Sequence, residues 1–86
     1  MADDRLEFSV YEFFYDDTSH PVARFIGARE AVEIASKCAR QACRPTSSVR
    51  RIIITDGGDN TVFEWQRHVG VTYPLNFKGW IAKEPK

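Results

Sequence analysis

The sequence predicts an α+β fold with the element order ββαββ, in which a four-stranded antiparallel sheet of order 2-1-3-4 carries one helix on one face. Three patterns carry that expectation. Leu6 to Tyr15 alternates residue by residue, Ala28 to Cys43 divides completely into an apolar and a polar half-circle, and two strand-like runs flank Asp56-Gly57-Gly58-Asp59-Asn60.

In the first run Leu6, Phe8, Val10 and Phe14 fall on one side and Glu7, Ser9, Tyr11, Phe13 and Tyr15 on the other. Glu12 is the one dissonant member. A period of two is that of a strand, and aromatic side chains pack well across a pleated surface. Asp16-Asp17-Thr18-Ser19-His20-Pro21 is turn chemistry, after which Val22 to Ile26 reads as a short strand returning in a hairpin. Pro21 fits only the start of that strand or an edge, because it has no amide hydrogen for the ladder.

Gly27 opens the helix, and Glu30 supplies half of a capping box whose usual serine or threonine is missing, so the cap is weak. Ala28, Ala31, Val32, Ile34, Ala35, Cys38, Ala39, Ala42 and Cys43 share one half-circle, while Arg29, Glu30, Glu33, Ser36, Lys37, Arg40 and Gln41 fill the other. A face built largely of alanine and cysteine lets the helix lie close on a sheet that supplies most of the bulk. Arg44-Pro45 ends it.

Val49 to Thr55 reads as the third strand and Thr61 to Val69 as the fourth. A loop of even length puts Ile52 and Ile54 on the same face as Phe63 and Trp65, whereas an odd one needs a bulge to keep that parity. Strand one, apolar on both sides, belongs in the sheet interior; strand four, with Glu64, Gln66 and His68 on one side, reads as an edge. The whole chain, residues 1–86, is one domain with its ordered core at about 5–69. Residues 70–86, with Tyr73, Leu75, Phe77, Trp80 and Ile81 among Pro74, Gly79 and Pro85, read as a tail docked on it.

Length and composition bound the function. A chain of 86 residues holds one small core and little room for a deep catalytic cavity. With 43% hydrophobic and 13% aromatic residues it is a folding chain rather than a disordered one. Twelve basic and twelve acidic side chains cancel, which disfavours a whole-molecule attraction to nucleic acid. The acidic start Met1-Ala2-Asp3-Asp4-Arg5 lacks the basic and apolar regions of a secretion signal, and no apolar run is long enough to span a membrane, so the expected location is cytoplasmic. Cys38 and Cys43, five apart on one helix, point too far apart for a disulfide and are expected as reduced thiols.

Constellations that carry chemistry are missing. No phosphate-cradling glycine loop, HExxH, CxxC or GxSxG string occurs. Asp56, Asp59 and Asn60 are hard oxygen ligands in type, and the glycines between them could form an anion nest, but the spacing fails a calcium loop and suits a hairpin turn. His20 and His68 lack a nucleophile at a recognisable spacing, Asp16-Asp17 are adjacent in a turn, and the cysteines lie on the apolar helix face. The expectation is a non-catalytic protein with no cofactor and no metal.

Charge is uneven along the chain: residues 1–17 carry a net −5 and residues 34–55 a net +5. Within the basic segment 37–51, Arg40, Arg44, Arg50 and Arg51 could grip phosphates while sheet aromatics stack bases, although no RNP-like string is present. The stronger expectation concerns association. One helix covers one face of the sheet, and by parity the other presents Tyr11, Phe13, Tyr15, Ile53 and Val62 around Arg51 and Glu64. Two coverings are expected for such a face, the aromatic tail from Tyr73 to Ile81 folding back over it or a second copy packing against it; the favoured reading is a protein-interaction module that forms a homodimer through this face, with the tail contributing to the interface.

Val10-Tyr11-Glu12-Phe13-Phe14, Glu30-Ala31-Val32, and Ile53-Ile54-Thr55-Asp56-Gly57-Gly58-Asp59 followed by Phe63-Glu64-Trp65 together resemble short bacterial proteins, known mainly from proteobacterial genomes, over about residues 7–74. Those proteins carry no assigned activity, so the resemblance implies none. The strand-strand-helix beginning is also similar in outline to HicB-type antitoxins, whose small domains bind a toxin partner, which implies a partner-binding alternative.

Overall fold

A computed structural model describes residues 6–73. The elements are β1 (Phe8–Phe14), β2 (Ser19–Ile26), α1 (Ala28–Ala42), β3 (Val49–Thr55), β4 (Thr61–Gln66) and β5 (Gly70–Tyr73). The strands form one antiparallel sheet in the order β2-β1-β3-β4-β5. The α+β class holds, but the element order is ββαβββ rather than ββαββ, and the sheet has five strands rather than four.

The extra strand arises where the sequence reads as a single run. Thr61 to Val69 is broken after Gln66 by a turn in which Val69 N–H donates to the Gln66 carbonyl at 3.1 Å and His68 takes a φ of 70°. Gly70, at φ 104°, then turns the chain back along β4. No Asn-Gly or Asp-Gly pair advertises this hairpin, and histidine holds the left-handed position. As a result β4 is interior instead of an edge, and Gly70–Tyr73, read as the start of a tail, pairs with it. The remainder of that tail, residues 74–86, lies outside the described residues.

The core sits between α1 and one side of the sheet. Val10, Ile52, Ile54, Phe63 and Trp65 point at the helix, which answers with Ala31, Ala35, Cys38, Ala39 and Ala42. The parity expected of the β3–β4 hairpin is met by a bulge, since Ile54 pairs with Phe63 while Thr55 pairs with Thr61. Gly27 caps α1 without any side-chain hydrogen bond, as the missing serine implies. Three positions of the helix differ from expectation, the first being Ala28, placed on the apolar arc but exposed at the helix start. Cys43, placed on the apolar arc, is the C-cap residue and is exposed, because the helix ends one residue before it; Ser36, just past the other margin of the arc, is buried.

Glu12, the dissonant residue of β1, lies on the helix side, opposite Ile52 and His20 and beside the Cys38 thiol. β2 begins at Ser19, earlier than the expected Val22, and carries Pro21 and two register shifts against β1. An edge with a proline and bulges offers a poor template for another strand. Among the described residues no helix is long and apolar enough to cross a membrane.

The close seat of α1 predicts that added bulk is harmful there. Ala35→Leu, at a fully buried position, is expected to destabilise the fold by about 1–3 kcal/mol despite its good helix propensity, whereas Ala28→Leu, on an exposed position of the same helix, stays near neutral. Urea denaturation followed by circular dichroism measures the pair.

Candidate functional site

On the side of the sheet away from α1, side chains line up in rows across the strands. One row runs Pro21, Tyr11, Ile53, Glu64 and Tyr73, and the next runs Ser19, Phe13, Arg51, Gln66 and Gly70. Tyr11, Phe13 and Ile53 are half-buried, and none of them belongs to the core under the helix.

The centre of this face is a small polar knot. Arg51 Nη1 donates to Glu64 Oε2 at 2.9 Å, and Thr72 Oγ1 donates to Glu64 Oε1 at 2.7 Å. The Arg51 guanidinium also lies over the Phe13 ring, 4.3 Å from its centroid. Its Nε is buried without a hydrogen-bond acceptor, so ring stacking and the carboxylate, rather than full donor satisfaction, hold the side chain. Burial alone raises the Glu64 carboxyl, but the hydrogen bonds from Thr72 and Arg51 outweigh it and leave the group below its ordinary value. The face therefore has a charged but internally neutralised centre. Beside the knot is a shallow depression of about 430 Å³ lined by Arg51, Ile53, Thr61, Glu64, Thr72 and Tyr73.

The structure brings together part of the expected interaction face. Tyr11 and Ile53 are cross-strand partners, as are Phe13 and Arg51. Val62 is the extra residue of the β3–β4 bulge, is half-buried, and packs against the core cluster. Tyr15 lies past the end of β1, where its amide donates to the Ser48 carbonyl at 3.1 Å and its ring stands 5.9 Å from the Arg67 guanidinium. Thr72 and Tyr73 on this face fall in the segment read as tail. Their signal in the sequence was the alternation of Val71, Thr72 and Tyr73 after Gly70, too short to mark a strand unaided.

The basic residues disperse. Arg51 is committed to Glu64 and Phe13. Arg50 Nε donates to the Phe14 carbonyl at 3.1 Å, and its Nη2 lies 3.4 Å from Asp17 Oδ1. Arg40 and Arg44 are exposed. Arg67, which nothing in the sequence singled out, ties the β4–β5 turn to the segment after α1 by donating to the carbonyls of Ser47 at 2.7 Å and Arg44 at 2.8 Å.

Candidate chemistry takes structural forms. Asp56 Oδ1 accepts the amides of Gly58 at 2.9 Å and Asn60 at 3.0 Å, and Asp59 sits at φ 64°, so this loop is a turn closed by its own aspartate. The Asn60 and Gly58 amides lower the Asp56 carboxyl. Asp16 likewise accepts the Thr18 hydroxyl at 2.6 Å and amide at 3.0 Å, which lowers its carboxyl. Burial, followed by the nearby Glu12 carboxylate, pushes the Cys38 thiol up to about 12, away from the nucleophilic thiolate. His20 and His68 are both exposed, one in β2 and one in a turn. Among the described residues no three of His, Cys, Asp and Glu gather to hold a metal ion.

No protein-family model, curated protein or solved structure matches this chain.

The lowered Glu64 carboxyl sets a pH dependence. Its contribution is present above the unfolded value, near 4.5, and is lost as pH falls through the lower folded value. Glu64→Gln is therefore expected to flatten the fall in stability below about pH 4.5, leaving a residual slope from Asp16 and Asp56. Thermal denaturation of both proteins across pH 2.5–7 (about the range in which carboxyls titrate) measures the difference.

Proposed function

We propose that the chain is a non-catalytic protein-interaction module whose open sheet face binds the same face of a second copy. The observation that carries this reading is the composition of the face. It presents Tyr11, Phe13 and Ile53 around an Arg51–Glu64 pair that neutralises itself. Tyr, Phe and Arg are enriched in protein interfaces, and a centre without net charge needs no oppositely charged partner. Five strands at about 4.8 Å spacing and seven residues at about 3.3 Å give a face of roughly 500 Å² per copy, so a face-to-face pair buries on the order of 1,000 Å², the lower bound for a specific interface. Edge-to-edge pairing through β2 is disfavoured by Pro21 and the bulges.

A nucleic-acid reading draws less support, because Arg50 and Arg51, two of the four arginines it needs, are engaged within the chain. The catalytic alternative is weakened by the raised Cys38 thiol and by aspartates committed to their own turns.

Sedimentation velocity on the full chain over a wide concentration range tests the proposal. A dimer is expected, and Ile53→Glu, which sets an unpaired charge in the middle of the face, is expected to give monomers while retaining a cooperative thermal transition. Arg40→Glu, on the exposed side of α1, should leave association unchanged. A full-length protein that stays monomeric throughout contradicts the reading.

A further inference from the structure

Among the described residues four non-glycine residues adopt positive φ, and three of them suit it: Asp17, Asp59 and His68 occupy hairpin turns. Phe25 is the exception. At φ 57° within edge strand β2 it holds a conformation that costs an ordinary side chain about 1–2 kcal/mol relative to glycine. The residue is 64% exposed, and the guanidinium of its neighbour Arg24 lies 5.4 Å from its ring centroid. The backbone of Phe25 is held in the β1–β2 bulge, where its amide donates to Ser9 Oγ, but its side chain stays largely exposed. Strain of this kind clusters at functional positions and persists where the surrounding structure holds it, here a bulge in β2.

The register places this residue relative to the open face. Phe8 pairs with Ile26 and Val10 with Ala23, so Arg24 and Phe25 together stand opposite Ser9. Ser9 belongs to the open face by alternation with Tyr11 and Phe13, and its Oγ accepts the Phe25 amide at 3.4 Å. Across the sheet the same row continues through Thr55 to Thr61. Thr61 is on the rim of the depression at the β5 side of the face. An exposed anchor at one margin and a depression at the other thus share one level of one face.

A face-to-face two-fold whose axis runs along the strands lays β2 of each copy over β5 of the other and keeps every cross-strand row at its own level. We infer that Phe25 is the anchor of the dimer, each copy seating its ring in the depression formed by Thr61, Thr72, Tyr73 and the Arg51–Glu64 pair of the other. This rests on the dimer proposed above and adds to it the orientation of the two-fold and the residue that carries most of the affinity. Buried aromatic anchors dominate such interfaces, and an arginine beside a ring is a frequent companion.

Phe25→Asn tests the inference, because asparagine accepts the left-handed backbone that phenylalanine does not. The variant is expected to melt at the same or a higher temperature than the parent while its dimer dissociation constant, from sedimentation equilibrium of the full chain, rises tenfold or more. A photo-reactive benzophenone side chain at position 25 should cross-link to the peptide spanning 61–73 of a second copy. Dimers of unchanged affinity, or cross-links to β2 of the second copy, overturn the inference and leave the dimer reading standing. A parent protein that is monomeric at every concentration overturns both.

Discussion

The fold depends on how closely α1 approaches the sheet. Its buried positions are Ala31, Ala35, Ser36, Cys38, Ala39 and Ala42, none larger than a thiol, with Val32 and Ile34 packing at the margins, so the helix axis can settle near the backbone of β1 and β3. The bulk of the core comes from the sheet, chiefly Ile52, Phe63 and Val10 among the fully buried side chains. Small helix side chains against large sheet side chains make one contiguous core cluster. This arrangement also limits coverage. A single fifteen-residue helix is about 22 Å long and about 10 Å wide, enough for one side of three strands, and among the described residues it is the only helix.

From that limit the character of the opposite side follows. A five-stranded sheet exposes backbone polar groups only at its edges, so among the described residues the side away from α1 presents side chains: Tyr11, Phe13 and Ile53 around the Arg51–Glu64–Thr72 knot. The knot fixes the face without biasing it electrostatically. Arg51 is pinned between a ring and a carboxylate, and Glu64 holds its charge because two hydrogen bonds outweigh the cost of its burial. At the far end of the sheet Arg67 plays a complementary structural part, binding two carbonyls after α1 and so tying the β4–β5 turn to the helix exit.

Much of this was legible in the sequence because periodicity reports burial directly. The alternation of β1, the half-circle of α1 and the parity of Ile52 and Ile54 with Phe63 and Trp65 all reflect one buried side, and the structure has them. What escaped has a common cause: local chemistry that departs from the common signals. The β4–β5 turn is made by Arg67, His68 and Val69, with histidine rather than glycine or asparagine in the left-handed position, so the fifth strand was hidden. The β3–β4 bulge that preserves the core parity also draws Val62 toward the core, and β1 ends at Phe14, one residue before Tyr15. Phe25 was hidden for the opposite reason. An aromatic residue in a strand is unremarked in a sequence, and only its φ and its exposure set it apart.

The central claim is that the uncovered face meets itself. Isotope-filtered nuclear Overhauser spectra on an equal mixture of labelled and unlabelled full-length chains test it most directly, because they report only contacts between copies. The account predicts intermolecular cross-peaks from the Ile53 methyl groups to the Tyr11 and Phe13 rings. Intermolecular cross-peaks confined to the exposed side of α1, at Arg29, Glu33 and Lys37, or none at millimolar concentration, would contradict it.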